Sequence, residues 1–392
     1  MSRILFISPK PYSPWEGACH RTRHILEAQI ALGYDVDLLT PTEGQTPTVA
    51  DSVTTIPLPR LPFCRRTPTL PSLLRLTLDL LALLKILWLA GNTRYALIHG
   101  QGNSGVLAWA AARLLRIPCI VELRNDPAPD PAHRRGLIPA LYRRLEHKAL
   151  RQADAVIGHD AATVARLTDL GCHSRACVIA DIPAVTEVAD APARNLAKAR
   201  YRTLTDQDLV TCVASYTRFQ GLDLFFNALP RLLATLPHTR CVVVGGGPEE
   251  IAQMREALDR AGIHEAVTFP GRLSTSELAA LLAISDVLVS SRRAGATAPI
   301  KVLDYLLSGT PIVAVDTPAN RAILSPENAV ITPATPEGLA DGLIRLLRSP
   351  GLRTELRLKG RETLRRENRT PEAFHAALAR CYTYALSRSE AE

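Results

Sequence analysis

Apolar and polar positions alternate along this chain in short blocks, and the blocks change period in turn. Compact apolar runs fall at residues 3–8, 35–39, 96–99, 118–122, 154–158 and 176–179. Four to six residues of Ile, Val, Leu and Cys without strict alternation predict strands buried on both faces, as in a parallel sheet. Between them lie stretches of helical period at 20–32, 105–115 and 161–170, with Gly33 and Gly171 as stops. A second series begins at residue 209, with strands expected at 209–215, 240–245, 266–269, 286–290 and 311–315. Its helices are expected at 222–233, 249–261, 274–283 and 300–307, and further helices at 337–348 and 371–387. Strand and helix in strict turn predict an α/β fold of two doubly wound, Rossmann-like domains. Residues 1–185 make the first domain and 209–370 the second. Residues 186–208, rich in Ala, Arg and Asp without a strand pattern, read as the linker.

Two helices stand apart. Residues 72–90 are nearly apolar all round, broken by Arg75, Asp79 and Lys85. Three charges in that length make a poor membrane span. The helix reads as a core helix or as one lying on a lipid surface, where Arg60, Arg65 and Arg66 would help. Residues 133–151 carry a basic stripe of Arg134, Arg135, Arg143, Arg144, Lys148 and Arg151, a solvated face or a contact for a membrane or acceptor.

The 392 residues suffice for two ordinary domains, and 47% hydrophobic residues with mean hydropathy +0.05 allow large cores. A net charge of +8 points to anionic partners. Aromatics at 5% are too few for base stacking, which counts against nucleic acid. The eight cysteines form no C-x-x-C and no ligand spacing with histidine, so no metal site is expected. They read as reduced core residues, which points to the cytosol. The apolar run 3–8 is too short for a secretion signal.

The chemistry gathers at strand-to-helix junctions. Residues 298–314 place Lys301 and Asp304 three apart at a helix start after Pro299, where free backbone N–H groups attract anions. Lys301 supplies charge for phosphate and Asp304 an acceptor for sugar or ribose hydroxyls. The loop 9–18 is longer than a plain turn requires; Gly17 lets backbone approach a ligand, with His20 and Arg21 at the helix start. Residues 121–127 end a strand in Glu122, Arg124, Asn125 and Asp126. Residues 215–222 join strand to helix through Arg218, Gln220 and Gly221, an anion site in which Arg can clamp phosphate oxygens. Val244-Gly-Gly-Gly-Pro248 is not the dinucleotide fingerprint, since Glu250 stands at its third glycine position. Phe269-Pro-Gly271 opens a loop through Leu273 whose backbone can read a base edge.

Together these pieces resemble the retaining glycosyltransferases of family 4, with the GT-B fold, over nearly the whole chain. The resemblance is carried by Val244–Pro248, Phe269–Gly271, Ser285–Ser290, Pro299–Tyr305 and Gly309–Ala314, and Ser215–Gly221 looks like the family's diphosphate loop. Glu122–Pro127 is similar to a segment in a branch that builds bacterial surface polysaccharides. The family implies two domains facing across a cleft, with the last helix, about 371–390, packing back on the first. It implies retaining transfer of a sugar from a nucleoside diphosphate sugar to a glycan or lipid-linked acceptor, with no cofactor and no obligatory metal. The expected catalytic residues are then Asp126, Arg218, Lys301 and Asp304. The expected donor-binding residues are Gly17, Arg21, Gln220, Gly221, Gly271, Leu273 and Pro299. An anionic membrane surface at the cytoplasmic face is a further expected partner.

The chain departs from the pattern at three places. Gln220 replaces the usual lysine of the diphosphate loop. Of two glutamates eight apart, the second is Asp304 and the first is Ala296. Arg124, Asn125 and Asp126 stand where the first domain often bears a histidine. These departures keep two other readings open: a GT-B nucleotide-sugar epimerase, and a degenerate, non-catalytic GT-B partner subunit.

Overall fold

A computed structural model describes residues 2–12, 17–41, 51–59, 72–123, 136–172, 175–185, 187–202, 207–295 and 298–389. The chain divides into two compact units, Met1–Asp181 with Pro371–Glu392, and Ile182–Thr370.

The first unit runs β1 (Arg3–Ile7), α1 (Gly17–Ala31), β2 (Asp35–Thr40), β3 (Val53–Pro57), α2 (Leu73–Asn92), β4 (Tyr95–Gln101), α3 (Gly105–Leu115), β5 (Cys119–Glu122), α4 (Leu137–Gln152), β6 (Ala155–Gly158), α5 (Ala161–Asp169) and β7 (Ala176–Val178). Its strands form one parallel sheet in the order β3-β2-β1-β4-β5-β6-β7. The direction of winding reverses between β1 and β4. Leu5, Ile7, Ile98, Val121 and Val156 face a core closed by α2, α3 and α4. Residues of the opposite parity, such as Phe6 and His99, face α1 and the chain's last helix.

The second unit runs α6 (Ala191–Tyr201), β8 (Leu209–Val213), α7 (Leu222–Thr235), β9 (Arg240–Val244), α8 (Pro248–Arg260), β10 (Val267–Gly271), α9 (Thr275–Ile284), β11 (Val287–Ser290), α10 (Ile300–Ser308), β12 (Ile312–Val315), α11 (Pro318–Arg321), β13 (Val330–Thr332), α12 (Pro336–Leu347) and α13 (Pro350–Arg366). Its parallel sheet has the order β10-β9-β8-β11-β12-β13, with the reversal between β8 and β11. The last helix, α14 (Pro371–Ser389), belongs to the first unit. In open α/β sheets ligands bind beyond the strand C-termini where the winding reverses, so each unit offers one such place.

The segment read as linker differs from that reading. Asp190 caps a helix there by accepting from the Ala193 N–H, and Pro192 stands in its first turn. This helix, α6, packs on α9 and buries Ala197 and Tyr201 in the second unit's core. The cap signal was present, and the alanine-rich composition hid it.

Candidate functional site

In the second unit the reversal is held open by α10. Pairing of β8 with β11 runs Val210–Val287, Thr211–Leu288 and Cys212–Val289 and stops there. The next residue, Val213, gives its N–H to the Tyr305 hydroxyl at 2.8 Å, and its carbonyl accepts from Lys301 Nζ at 2.8 Å. Tyr305 Oη in turn donates to the Val289 carbonyl at 3.2 Å. Two side chains of one helix thus satisfy backbone groups that parting strands would leave bare.

Lys301 Nζ also donates to Gln220 Oε1 at 2.9 Å. Burial pushes the Lys301 ammonium down to about 8 from 10.5, and nearby Arg292 acts the same way. An ammonium has three donors, and among the described residues these two bonds leave one for a ligand.

Gln220 ends a 3₁₀ turn, Arg218–Gln220, whose backbone is tied to the end of β11. Ser291 Oγ donates to the Gln220 carbonyl at 2.9 Å, and the Arg293 N–H to the Phe219 carbonyl at 2.9 Å. Gly221 precedes α7 with φ +69°, and a Cβ there would lie 2.1 Å from the Ser291 carbonyl oxygen. Only glycine lets the loop lie so close to β11. No side chain caps α7 at Gly221, so its first N–H groups stand at this loop with exposed Arg218 beside them.

The glycine loop after β9 presses on the same region. A Cβ on Gly245 would meet the Ala214 carbonyl oxygen at 2.1 Å, and one on Gly246 the Tyr216 ring at 2.2 Å. The Gly245 N–H donates to the Gly271 carbonyl at 2.8 Å, which joins this loop to the one after β10. Leu273, just beyond, is buried in the core beside Val244. Pro299 is the buried N-cap of α10. The structure therefore gathers Gln220, Gly221, Gly271, Lys301 and Pro299 around the ends of β8, β9, β10 and β11. It adds Tyr216, whose buried hydroxyl has no hydrogen-bond partner among the described residues. Tyr216 stands within the 215–222 loop already singled out, and no spacing marked it as more than a loop residue.

Asp304 does not join Lys301. Its Oδ1 accepts from the Val185 N–H at 2.9 Å, and the side chain lines a small cavity with Ala189, Ala279 and Leu307. Positions three apart differ by about 60° around a helix, enough here for two side chains to address different neighbours. Asp126 lies outside the described residues, as do Arg124, Asn125 and Ala296.

In the first unit, Gly17 opens α1 and Arg21 follows within the first turn and a half. Arg21 is not an open cation. It is buried, with Nε 3.0 Å from Glu122 Oε1 and Nη1 2.9 Å from Asp181 Oδ1. Glu122, the last residue of β5, also accepts from Gln101 Nε2 at 3.2 Å and lies 3.1 Å from His159 Nε2. His159 Nδ1 is 3.6 Å from Asp181 Oδ2. Burial alone would raise both carboxyls; Arg21 and His159 outweigh it and hold Glu122 and Asp181 well below the usual range. Burial and Arg21 push His159 down, and Asp181 and Glu122 reverse the sign, so it titrates above the ordinary histidine. Two carboxylates face a guanidinium and an imidazole whose protonated form they favour, and such pairing is how buried charges persist. The cluster occupies the C-terminal ends of β4, β5 and β6. Glu122 was legible as a charge closing a buried strand. His159 and Asp181 were not, because each looks like an ordinary residue after a short strand.

Among the described residues no group of three or more His, Cys, Asp or Glu could hold a metal ion. No described helix is long and apolar enough to cross a membrane.

Two parallel α/β units, each with a furnished reversal point, define a GT-B protein of the glycosyltransferase class. Residues 16–181 match the model for the glycosyl transferase 4-like domain, and residues 207–349 the model for glycosyl transferases group 1. The chain belongs to this family of GT-B glycosyltransferases. It is 31% identical over 149 residues to the phosphatidyl-myo-inositol mannosyltransferase of Mycobacterium leprae, a match covering 38% of this chain and 39% of that protein. It is 33% identical over 131 residues to the GDP-mannose-dependent alpha-(1-6)-phosphatidylinositol monomannoside mannosyltransferase of Mycolicibacterium smegmatis, covering 32% and 34%. The chain thus matches little more than a third of the length of these curated relatives. Among solved structures, the sucrose-phosphate synthase of Thermosynechococcus elongatus shares the fold, with TM-score 0.75, 18% identity, and 99% and 100% of the two chains covered.

Proposed function

We propose that the protein transfers a sugar from a nucleoside diphosphate sugar to a lipid-linked or glycan acceptor, with retention of anomeric configuration. The observation that carries this is Lys301. A half-buried ammonium at the strand reversal of the second unit, with one donor unused among the described residues, beside an α7 N-terminus that no side chain caps, is built to receive an anion. Arg218 adds a second positive charge from the same loop. As the bond between sugar and diphosphate breaks, these groups stabilise the charge that grows on the leaving oxygen. That role needs no metal, and we expect activity to persist in chelator.

The lipid-linked form of acceptor is favoured by the names of the two mannosyltransferases, both phosphatidylinositol-directed. It is favoured independently by α2. One face of this helix is buried through Leu78, Ala82 and Ile86, yet Leu73 is 71% exposed, Leu80 57%, Leu84 56% and Trp88 65%. In the same helix layer, α4 presents a groove of about 380 Å³ lined by Arg144, His147, Lys148, Arg151 and Gln152. An apolar stripe beside basic residues suits the surface of an anionic bilayer. Arg60, Arg65 and Arg66 lie outside the described residues.

The test is a transfer assay across nucleoside diphosphate sugars, with and without lipid-linked acceptors, and NMR assignment of the product anomer. Acceptor-dependent release of nucleoside diphosphate supports the reading. A rearranged sugar without acceptor would indicate an epimerase. No turnover and no nucleotide binding would indicate a non-catalytic subunit.

A further inference from the structure

Seven cysteines among the described residues are free thiols, and two of them share one place. Cys177 is the middle residue of β7, at the edge of the first unit's sheet. Successive strand residues point to opposite faces. Ala176 packs on the core under α2, α3 and α4, so Cys177 points to the other face, which α14 covers. On α14, Phe374, Leu378, Cys381, Tyr382 and Ala385 form the buried stripe. This stripe sets Cys381 opposite β7, where the Cys177 and Cys381 thiols act directly on each other's ionisation. The two differ in setting. Cys177 is half-buried, and Cys381 is 1% exposed.

We propose that Cys177 and Cys381 are a reversible thiol–disulfide pair that, on exposure to a peroxide, covalently fastens α14 to the edge strand β7. The hydrogen bond from Cys381, with Arg380 nearby, holds Cys177 below the ordinary thiol value, against the opposite pull of burial. Cys381 is held well above it by the same hydrogen bond and by burial. Cys177, the more accessible of the two, is the attacking thiolate, and the enclosed Cys381 the resolving thiol. The Cys177 thiolate attacks one oxygen of hydrogen peroxide; the O–O bond breaks and the departing hydroxide takes a proton to become water. Cys381, giving up its proton, attacks the resulting sulfenic sulfur; the S–O bond breaks and a second water leaves. Two thiols and one peroxide become one disulfide and two waters. Thiol reductants reverse it. The clamp acts on the helix that carries Tyr382, whose hydroxyl lies 2.8 Å from His99 Nδ1 and accepts from Gln29 at 2.7 Å.

The experiment treats the folded full chain with about one equivalent of hydrogen peroxide, alkylates the remaining thiols and digests without reduction. The expected result is one cross-linked peptide pair joining 177 to 381, lost on adding dithiothreitol. In Cys381→Ser, which keeps a hydrogen-bond donor but cannot form the disulfide, the same dose leaves a sulfenic acid on Cys177 that dimedone traps. Should that variant misfold, brief alkylation of the untreated wild type at neutral pH replaces it, and Cys177 must be labelled first. Absence of the 177–381 peptide, or prior reaction at another cysteine, overturns the proposal.

Discussion

At the scale of single residues, the second unit's site turns on what Lys301 touches. Its folded value of about 8 means that the unliganded ammonium begins to lose its proton within the range of ordinary buffers. A bound diphosphate favours the charged form. Nucleoside diphosphate binding is therefore expected to take up protons and to weaken as pH rises from 8 to 9.5. Calorimetric titration in two buffers of different ionisation enthalpy measures that uptake. Equal heats in both buffers would count against Lys301 as the anion contact. Lys301→Ala is expected to lower turnover by about 10²–10³-fold, the usual loss for one electrostatic donor at a reacting centre. Gln220 supplies a finer probe. Its carboxamide oxygen now occupies one Lys301 donor. Gln220→Lys frees that donor and adds a charge, so affinity for nucleoside diphosphate should rise at low salt and depend more steeply on salt. An unaltered salt dependence would show that position 220 does not meet the phosphates.

At the scale of elements, α2 is informative because it is apolar on both faces. The inner face was expected of any helix over a sheet. The outer stripe of Leu73, Leu80, Leu84 and Trp88 stays mostly exposed among the described residues. Replacing Leu80, Leu84 and Trp88 together by Gln should abolish co-sedimentation with anionic vesicles. The thermal midpoint should hold or rise slightly, since exposed positions contribute little to stability. A midpoint that drops by several degrees would mean that the stripe is a packing face. The hydrophobic period predicted this helix well, but not which face the chain would leave open. A helix apolar all round carries no moment to orient it.

At the scale of the whole molecule, the first unit is poised to respond to acid. Burial, with help from Arg23, pushes His20 down to about 4 and His24 to about 3. Burial pushes His99 to about 4, against the pull of Glu122. An unfolded chain binds these protons near 6.5, so the folded state loses stability as pH falls from about 6.5 towards 4. His159 works in the opposite sense, since its raised value favours the folded state at lower pH. The depressed Glu122 and Asp181 oppose it again, below the ordinary carboxylate range. Three histidines against one set the net direction. The first unit's unfolding transition in scanning calorimetry should move to lower temperature between pH 7 and 4, and His99→Gln should flatten that slope. A transition that stays fixed or rises would refute the assignment.

What the sequence determined by itself was local. Continuous apolar runs dictated parallel strands, glycines marked the loops after β8, β9 and β10, and the order of short pieces from Ser215 to Ala314 carried the family. These are properties of neighbours in the chain, and one residue's chemistry suffices to report them. The tertiary structure decided everything that depends on two distant residues meeting. Lys301 finds Val213 and Gln220 because α10 crosses the parting of β8 and β11. Asp304, three positions on, turns instead to Val185. Arg21, expected to bind the donor, is neutralised by Glu122 and Asp181, residues 101 and 160 positions away. Cys177 meets Cys381 only because α14 returns to the first unit. A side chain's charge is written in the sequence. Whether that charge is spent on the protein or left for a ligand depends on burial and partners, and those exist only once the chain has folded.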